Sequence, residues 1–246
     1  MAAGEVLELH RWPVKSLAGE PARALRVDGR GVAGDRTHAL FDLHKGRPRR
    51  LTARQCPRML LWSAAYPDAP DEAARPEDPP EPILTAPDGR RLGWNDADLG
   101  RLLAQDLGRA VTFHRDPAGQ QDFERSVLVT TEVSVRTVAR EVGRELDVRR
   151  FRPNVHVRLD AAPFAEEGWE GGRLWIGDCE LELLHPCERC VIPTRDPDTA
   201  ERWAGLVRWL FAQRAGLFGI NARPLGPGIL RLGDPVRVQP LGGHGV

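Results

Sequence analysis

The feature that most constrains this chain is alternation. In "VLELHRW" at 6–12, "HALFDLH" at 38–44, "MLLWSAA" at 59–65, "NVHVRL" at 154–159, "GDCELELL" at 177–184 and "DPVRVQP" at 234–240, short apolar segments, many of them alternating, sit between Gly, Pro and Asp. Such segments are half-buried strands, because successive side chains of a strand point to opposite faces. The chain is therefore expected to be mainly β with a few helices, in the α+β class. Asp88-Gly89 inside "LTAPDGRRLGW" adds a tight hairpin turn that needs positive φ.

Three segments carry a single apolar stripe at helical spacing. Asn95 is the expected cap of a helix reaching 107, Thr131 of one reaching 142, and Thr199 of one reaching 211. Between these elements, 66–82 holds six prolines and six acidic residues. It is expected to run extended and solvated, as a surface insertion. The main division is expected near residue 115, giving an N-terminal unit at 1–115 and a C-terminal unit at 116–246.

At 246 residues the chain can bury a real core without staples. Its 35 basic and 35 acidic residues cancel, so no overall field draws it to nucleic acid or an anionic membrane. The run "KGRPRRLTARQCPR" at 45–58 has six basic residues but no aromatics between them for base stacking. Neither a nucleic-acid partner nor a membrane span is expected. Four irregularly spaced cysteines and an opening "MAAGEVLELHRW" without an apolar signal core point to the cytoplasm.

Two of those cysteines stand in "HPCERCVIPTRDPDTAE" at 185–201. Cys187 and Cys190 have the spacing of half a zinc site, of a redox dithiol, or of one metal thiolate with a neighbour. Cys179 and His185 are the nearest further zinc ligands, yet Cys179 falls in phase with Leu181 and Leu183, as a core thiol would. The prolines after Cys190 oppose the immediate helix that a thioredoxin-like dithiol requires.

Polar and basic residues recur where strands give way to turns: Lys15 and Ser16 in "WPVKSL", Arg36 in "GDRTHAL", Arg54 in "LTARQCPR", and Arg152 and Asn154 in "RRFRPNVHV". Together they would form a pocket for an anionic, polar cofactor, since Arg and Lys suit phosphate. Thr130 and Thr131 in "LVTTEVS" sit where a strand passes into a helix, whose N-terminal amides favour an anion.

With "RWPVKSLAG", "GDRTHALFD", "LTARQCPRM", "LVTTEVS", "FRPNVHV", "WIGDCELELLHPCERC", "TRDPDT" and "LRLGDPVRV" in this order, the chain resembles the MOSC-domain family with its N-terminal β-barrel companion domain, most of all its amidoxime-reducing and YcbX-type branches. The resemblance implies a MOSC β-barrel packed with a β-rich N-terminal domain, and binding of molybdenum cofactor with Cys190 as the metal thiolate. At the level of the family it also brings pyridoxal phosphate binding. It places pterin and phosphate contacts on Lys15, Ser16, Arg36, Thr131, Arg152 and Asn154. The implied activity is reduction of small N-hydroxylated substrates, with Asp196 relaying a proton. The alternative is a sulfur or cofactor carrier without turnover. No cysteines remain for a fused iron-sulfur cluster, so electrons would come from a separate donor protein of flavin, haem or iron-sulfur type. Family members often read Gly where this chain has Ala200.

Overall fold

The computed structural model describes residues 2–67, 78–116 and 125–241. Its centre is a closed barrel of seven strands: β1 (Ala2–Arg11), β2 (Val127–Thr131), β3 (Val155–Leu159), β4 (Arg173–Ile176), β5 (Cys179–Glu188), β6 (Leu217–Pro224) and β7 (Pro235–Gln239). Around the barrel the order is β3-β2-β6-β5-β4-β7-β1, and β1 closes the ring on β3. Alternation does the expected work: Val155, Val157 and Leu159 of β3 are buried in the main core, whereas Arg158 between them is exposed. Each such fully buried Val or Leu stabilises the fold by about 1.5–3 kcal/mol.

All but one of the neighbouring pairs are antiparallel. The exception, β2 beside β3, is parallel, and the crossover between them contains helix α2 (Glu132–Val142). Thr131 caps α2 by accepting the Ser134 amide, and Gly143 ends it with φ +66°.

The divide expected at 115 falls between the strand at 112–115 and β2, and strand pairing crosses it. β1 completes the barrel, and the strand Ala24–Asp28 pairs with Gly228–Arg231. A second core, built on Val14, Leu17, Leu40, Trp62, Leu84 and Leu103, lies under the small sheets Thr112–Arg115/His38–His44/Arg47–Arg50 and Ser63–Ala65/Ile83–Thr85/Arg91–Gly93. The turn between the last two strands carries Gly89 at φ +87°, as the hairpin requires. Helix α1 (Leu99–Leu107) buries Leu99, Leu102, Leu103 and Leu107 on this core.

Three elements differ from the sequence expectation. Helix α1 starts at Leu99, four residues after Asn95, because Asp96 first closes a turn by accepting the Asp98 amide on its side chain and the Leu99 amide on its carbonyl. Helix α3 spans Gly205–Arg214 and does not begin at Thr199. There Asp196 collects the Asp198 and Thr199 amides, and the Trp203 amide bonds the Thr194 carbonyl, so 196–203 form a looped turn. In "MLLWSAA" only Ser63–Ala65 is strand, and Pro57–Leu61 is a 3-10 turn. Residues 68–77 of the acidic, proline-rich stretch lie outside the described residues. Among the described residues, no helix is long and apolar enough to cross a membrane.

Candidate functional site

Strand β5 departs from regular pairing with β6 between Leu183 and Pro186 and again between Pro186 and Glu188. Pro186 has no N–H to give to a ladder, and bulges are where strands bend away. This irregular end carries His185, Cys187, Glu188 and Arg189 into the wall of a cavity of about 660 Å³, which Cys190 also lines. The opposite wall comes from the N-terminal half: Lys15, Ser16, Arg36, Thr52 and Arg54. Arg152, just after the 3-10 turn Val148–Phe151, joins them. Of the residues singled out in sequence, Lys15, Ser16, Arg36, Arg54, Arg152 and Cys190 share this one cavity.

The wall is cationic. Lys15, Arg36, Arg54, Arg152 and Arg189 face a single carboxylate, Glu188. Three of its residues, Ser16 (φ +69°), Arg36 (φ +50°) and Arg152 (φ +52°), hold left-handed backbone conformations, which cost non-glycine residues about 1–2 kcal/mol each. Arg36 pairs with Asp35, which is fully buried and also accepts the Trp12 amide at 2.8 Å. Arg36 Nη2 donates to the Arg152 carbonyl at 3.1 Å, and the Arg152 guanidinium lies over Trp12 at 4.1 Å. Ser16 is 1 % exposed, and its hydroxyl has no hydrogen-bond partner among the described residues. A buried hydroxyl without a partner costs about 1–3 kcal/mol unless a ligand satisfies it.

Cys187 receives an N–H from Arg189 Nη1 at 3.1 Å, while Arg189 Nη2 donates to the Phe151 carbonyl at 2.6 Å. Arg189 thus ties the cysteine loop to the turn that presents Arg152. Sequence reading passed over Arg189, although its place inside Cys-x-Arg-Cys is a usable signal. It also passed over Ser126 and Asn221, joined at 3.1 Å in the same wall. These come from β6 and from just before β2, and no local pattern links them.

His185 and Cys187 line the same wall, whereas Thr130, Thr131, Asn154 and Asp196 lie outside it. Thr130 is fully buried and shares a hydrogen bond with His156 Nδ1 at 2.9 Å. Thr131 is engaged in the α2 cap and with the buried Glu166. Asn154 accepts the Leu128 amide and donates to the His10 carbonyl, pinning β1 near β2. Asp196 receives Arg150 Nη2 at 2.7 Å. Burial works to raise its pKa, but the Asp198 and Thr199 amides and the Arg150 charge outweigh this and hold it below the usual carboxylate value.

Among the described residues no three His, Cys, Asp or Glu side chains group as a metal cage. Cys179 Sγ faces the Ile229 carbonyl at 3.5 Å, part-buried against the barrel core. All four cysteines are free.

A family model described as "MOSC domain" matches residues 100–237, and one described as "MOSC N-terminal beta barrel domain" matches residues 3–86. The chain belongs to the MOSC-domain family. Its relatives include "Mitochondrial amidoxime reducing component 2" from Macaca fascicularis, 27% identical over 95% of this chain and 83% of that protein. The human "Mitochondrial amidoxime-reducing component 1" is 26% identical over 95% and 82%. The crystal structure of the YuaD protein from Bacillus subtilis shares the fold, with a TM-score of 0.52 at 17% identity over 98% of both chains.

Proposed function

We propose that the Cys190 pocket of this MOSC protein binds molybdenum cofactor and that the chain reduces N-hydroxylated compounds with electrons from a separate redox protein. One observation carries the reading: two thiols, five cationic side chains and a buried serine hydroxyl without a partner among the described residues converge on one cavity. That donor set suits a polyanionic group with a soft metal, which needs one protein thiolate and compensating charge. Relatives named for amidoxime reduction support the choice of reaction.

When bound, the cofactor supplies two-electron chemistry between Mo(IV) and Mo(VI) that removes oxygen from an N–OH group. Cys190 would hold the metal as its thiolate. Lys15, Arg36, Arg54 and Arg152 would neutralise phosphate and pterin oxygens, and Ser16 Oγ would donate to one of them. Arg189 positions the cysteine loop through Phe151 and leaves Cys187 as a hydrogen-bonded neighbour. Asp196 anchors Arg150, and its lowered pKa makes the carboxylate a weak base, so its role there would be to hold Arg150. Thr130, Thr131 and Asn154 would act from behind the wall by fixing β2, β3 and α2. The four free thiols are in keeping with a cytoplasmic setting.

The test is protein made in a host that synthesises the cofactor. Near-stoichiometric molybdenum is expected, with loss in Cys190→Ala and reduction of benzamidoxime by the loaded, chemically reduced protein. Full metal in Cys190→Ala would sink the ligand assignment. Verified loaded protein without turnover would instead favour a sulfur or cofactor carrier.

A further inference from the structure

A second cavity, of about 270 Å³, adjoins the Cys190 pocket, and Arg152 and Ile192 stand in the walls of both. Its charge is one-sided. Arg149, Arg150, Arg152 and Arg195 line it, together with apolar surface from Trp12 and Leu60, and no carboxylate does. Such a wall selects for negative charge on an apolar body.

The arginines differ in how far they are compensated. Arg149 is held by Asp147 at 2.6 Å and Asp198 at 2.7 Å. Arg150 is 5% exposed; its Nη2 reaches Asp196 and its Nη1 the Pro193 carbonyl at 3.3 Å, but its Nε is buried without a partner among the described residues. Burial pushes the Arg150 pKa down in spite of Asp196, as expected for a cation short of compensating charge. Arg195 donates to the Ala200 carbonyl at 3.1 Å and forms no ion pair among the described residues. A planar carboxylate matches guanidinium donors of this kind, because each oxygen accepts an N–H in the plane of the fork, and it suits a wall that is also apolar.

The geometry points to this cavity as the chamber for the carboxylate-bearing ring of an aromatic substrate, whose N-hydroxyl end enters the Cys190 pocket past Arg152 and Ile192. The inference rests on the function proposed above and narrows its substrate class to acids. Size agrees: the volume lies just under the roughly 300–1,000 Å³ of sites for drug-sized ligands, room for a ring and its carboxylate. The arginines would bind and orient the acid, leaving the chemistry to the neighbouring pocket.

The test compares para-carboxybenzamidoxime, benzamidoxime and para-(aminomethyl)benzamidoxime by calorimetric titration of the cofactor-loaded protein and its Arg195→Gln variant, with molybdenum measured in both. The carboxylated probe should bind about tenfold or more tighter than the neutral one, and the aminomethyl probe more weakly than either. Arg195→Gln should erase most of that advantage and keep its molybdenum. Equal binding of the three probes, or an advantage that survives in Arg195→Gln, overturns the inference. Loss of molybdenum in Arg195→Gln would give the chamber to the cofactor and overturn it as well. The expected binding order with no reduction of any probe upholds the chamber's preference and overturns the reductase reading instead.

Discussion

Arg36 Nη2 donates to the carbonyl of Arg152 at 3.1 Å, joining two left-handed residues that lie 116 positions apart. The bond locks the N-terminal wall of the pocket to the C-terminal one. Arg36 is also the ion-pair partner of Asp35, which is wholly buried. Arg36→Ala should therefore cost about 3 kcal/mol of stability by leaving that carboxylate uncompensated. Denaturant unfolding reads this directly, and an unchanged midpoint would refute it.

Ala200 has φ +59°, in the loop where Asp196 gathers the Asp198 and Thr199 amides. The left-handed backbone penalises a Cβ by about 1–2 kcal/mol, and glycine's extra unfolded-state freedom returns about 0.4–1 kcal/mol of that. Ala200→Gly should raise stability by about 0.5 kcal/mol. A lowered melting temperature would contradict the strain.

Glu166 is 1% exposed and accepts from Ser134 Oγ at 2.9 Å beneath α2. Burial raises its pKa above the ordinary 4.5, against the pull of its hydrogen bonds. Folding then favours the protonated form, so the contribution to stability is complete below about pH 4.5 and is lost as pH rises through the raised value. Glu166→Gln should flatten that decline. Parallel slopes of stability against pH for variant and wild type would rule it out.

Asp196 behaves in the opposite sense. Its folded pKa lies below 3.8, so its contribution is present above that pH and lost on acidification through the depressed value. Its partner Arg150 has a side chain only 4% exposed. Asp196→Asn should destabilise the protein by about 2 kcal/mol at neutral pH, through the buried guanidinium left behind. Chemical denaturation at neutral and acid pH checks both magnitude and sign, since the gap between variant and wild type should close in acid.

Much of the fold is legible along the chain. "NVHVRL" and "DPVRVQP" became β3 and β7 with their alternate residues in the core, and Thr131 capped α2 as its spacing predicts. Misplaced helix starts, at Asn95 and Thr199, share a cause. In each case a neighbouring aspartate, Asp96 or Asp196, captured nearby backbone amides in a turn, and an apolar stripe carries no record of which polar residue wins them. For the site, Lys15, Ser16, Arg36, Arg54, Arg152 and Cys190 stood out by residue type at strand ends. Ser126, Asn221 and the second cavity did not, because nothing local connects them.

By itself, then, the sequence determined which residues face inward along the alternating strands, where turns need positive φ, and which cysteine pair lies among cations. These are properties of a few neighbouring residues, set by side-chain alternation and backbone sterics. Only the tertiary structure decided that Ala2–Arg11 closes a barrel with strands more than a hundred residues away, that Asn154 bonds the Leu128 amide and the His10 carbonyl, and that four arginines line a cavity adjoining the Cys190 pocket. Those outcomes depend on which apolar faces bury one another, and burial is a property of the whole folded chain.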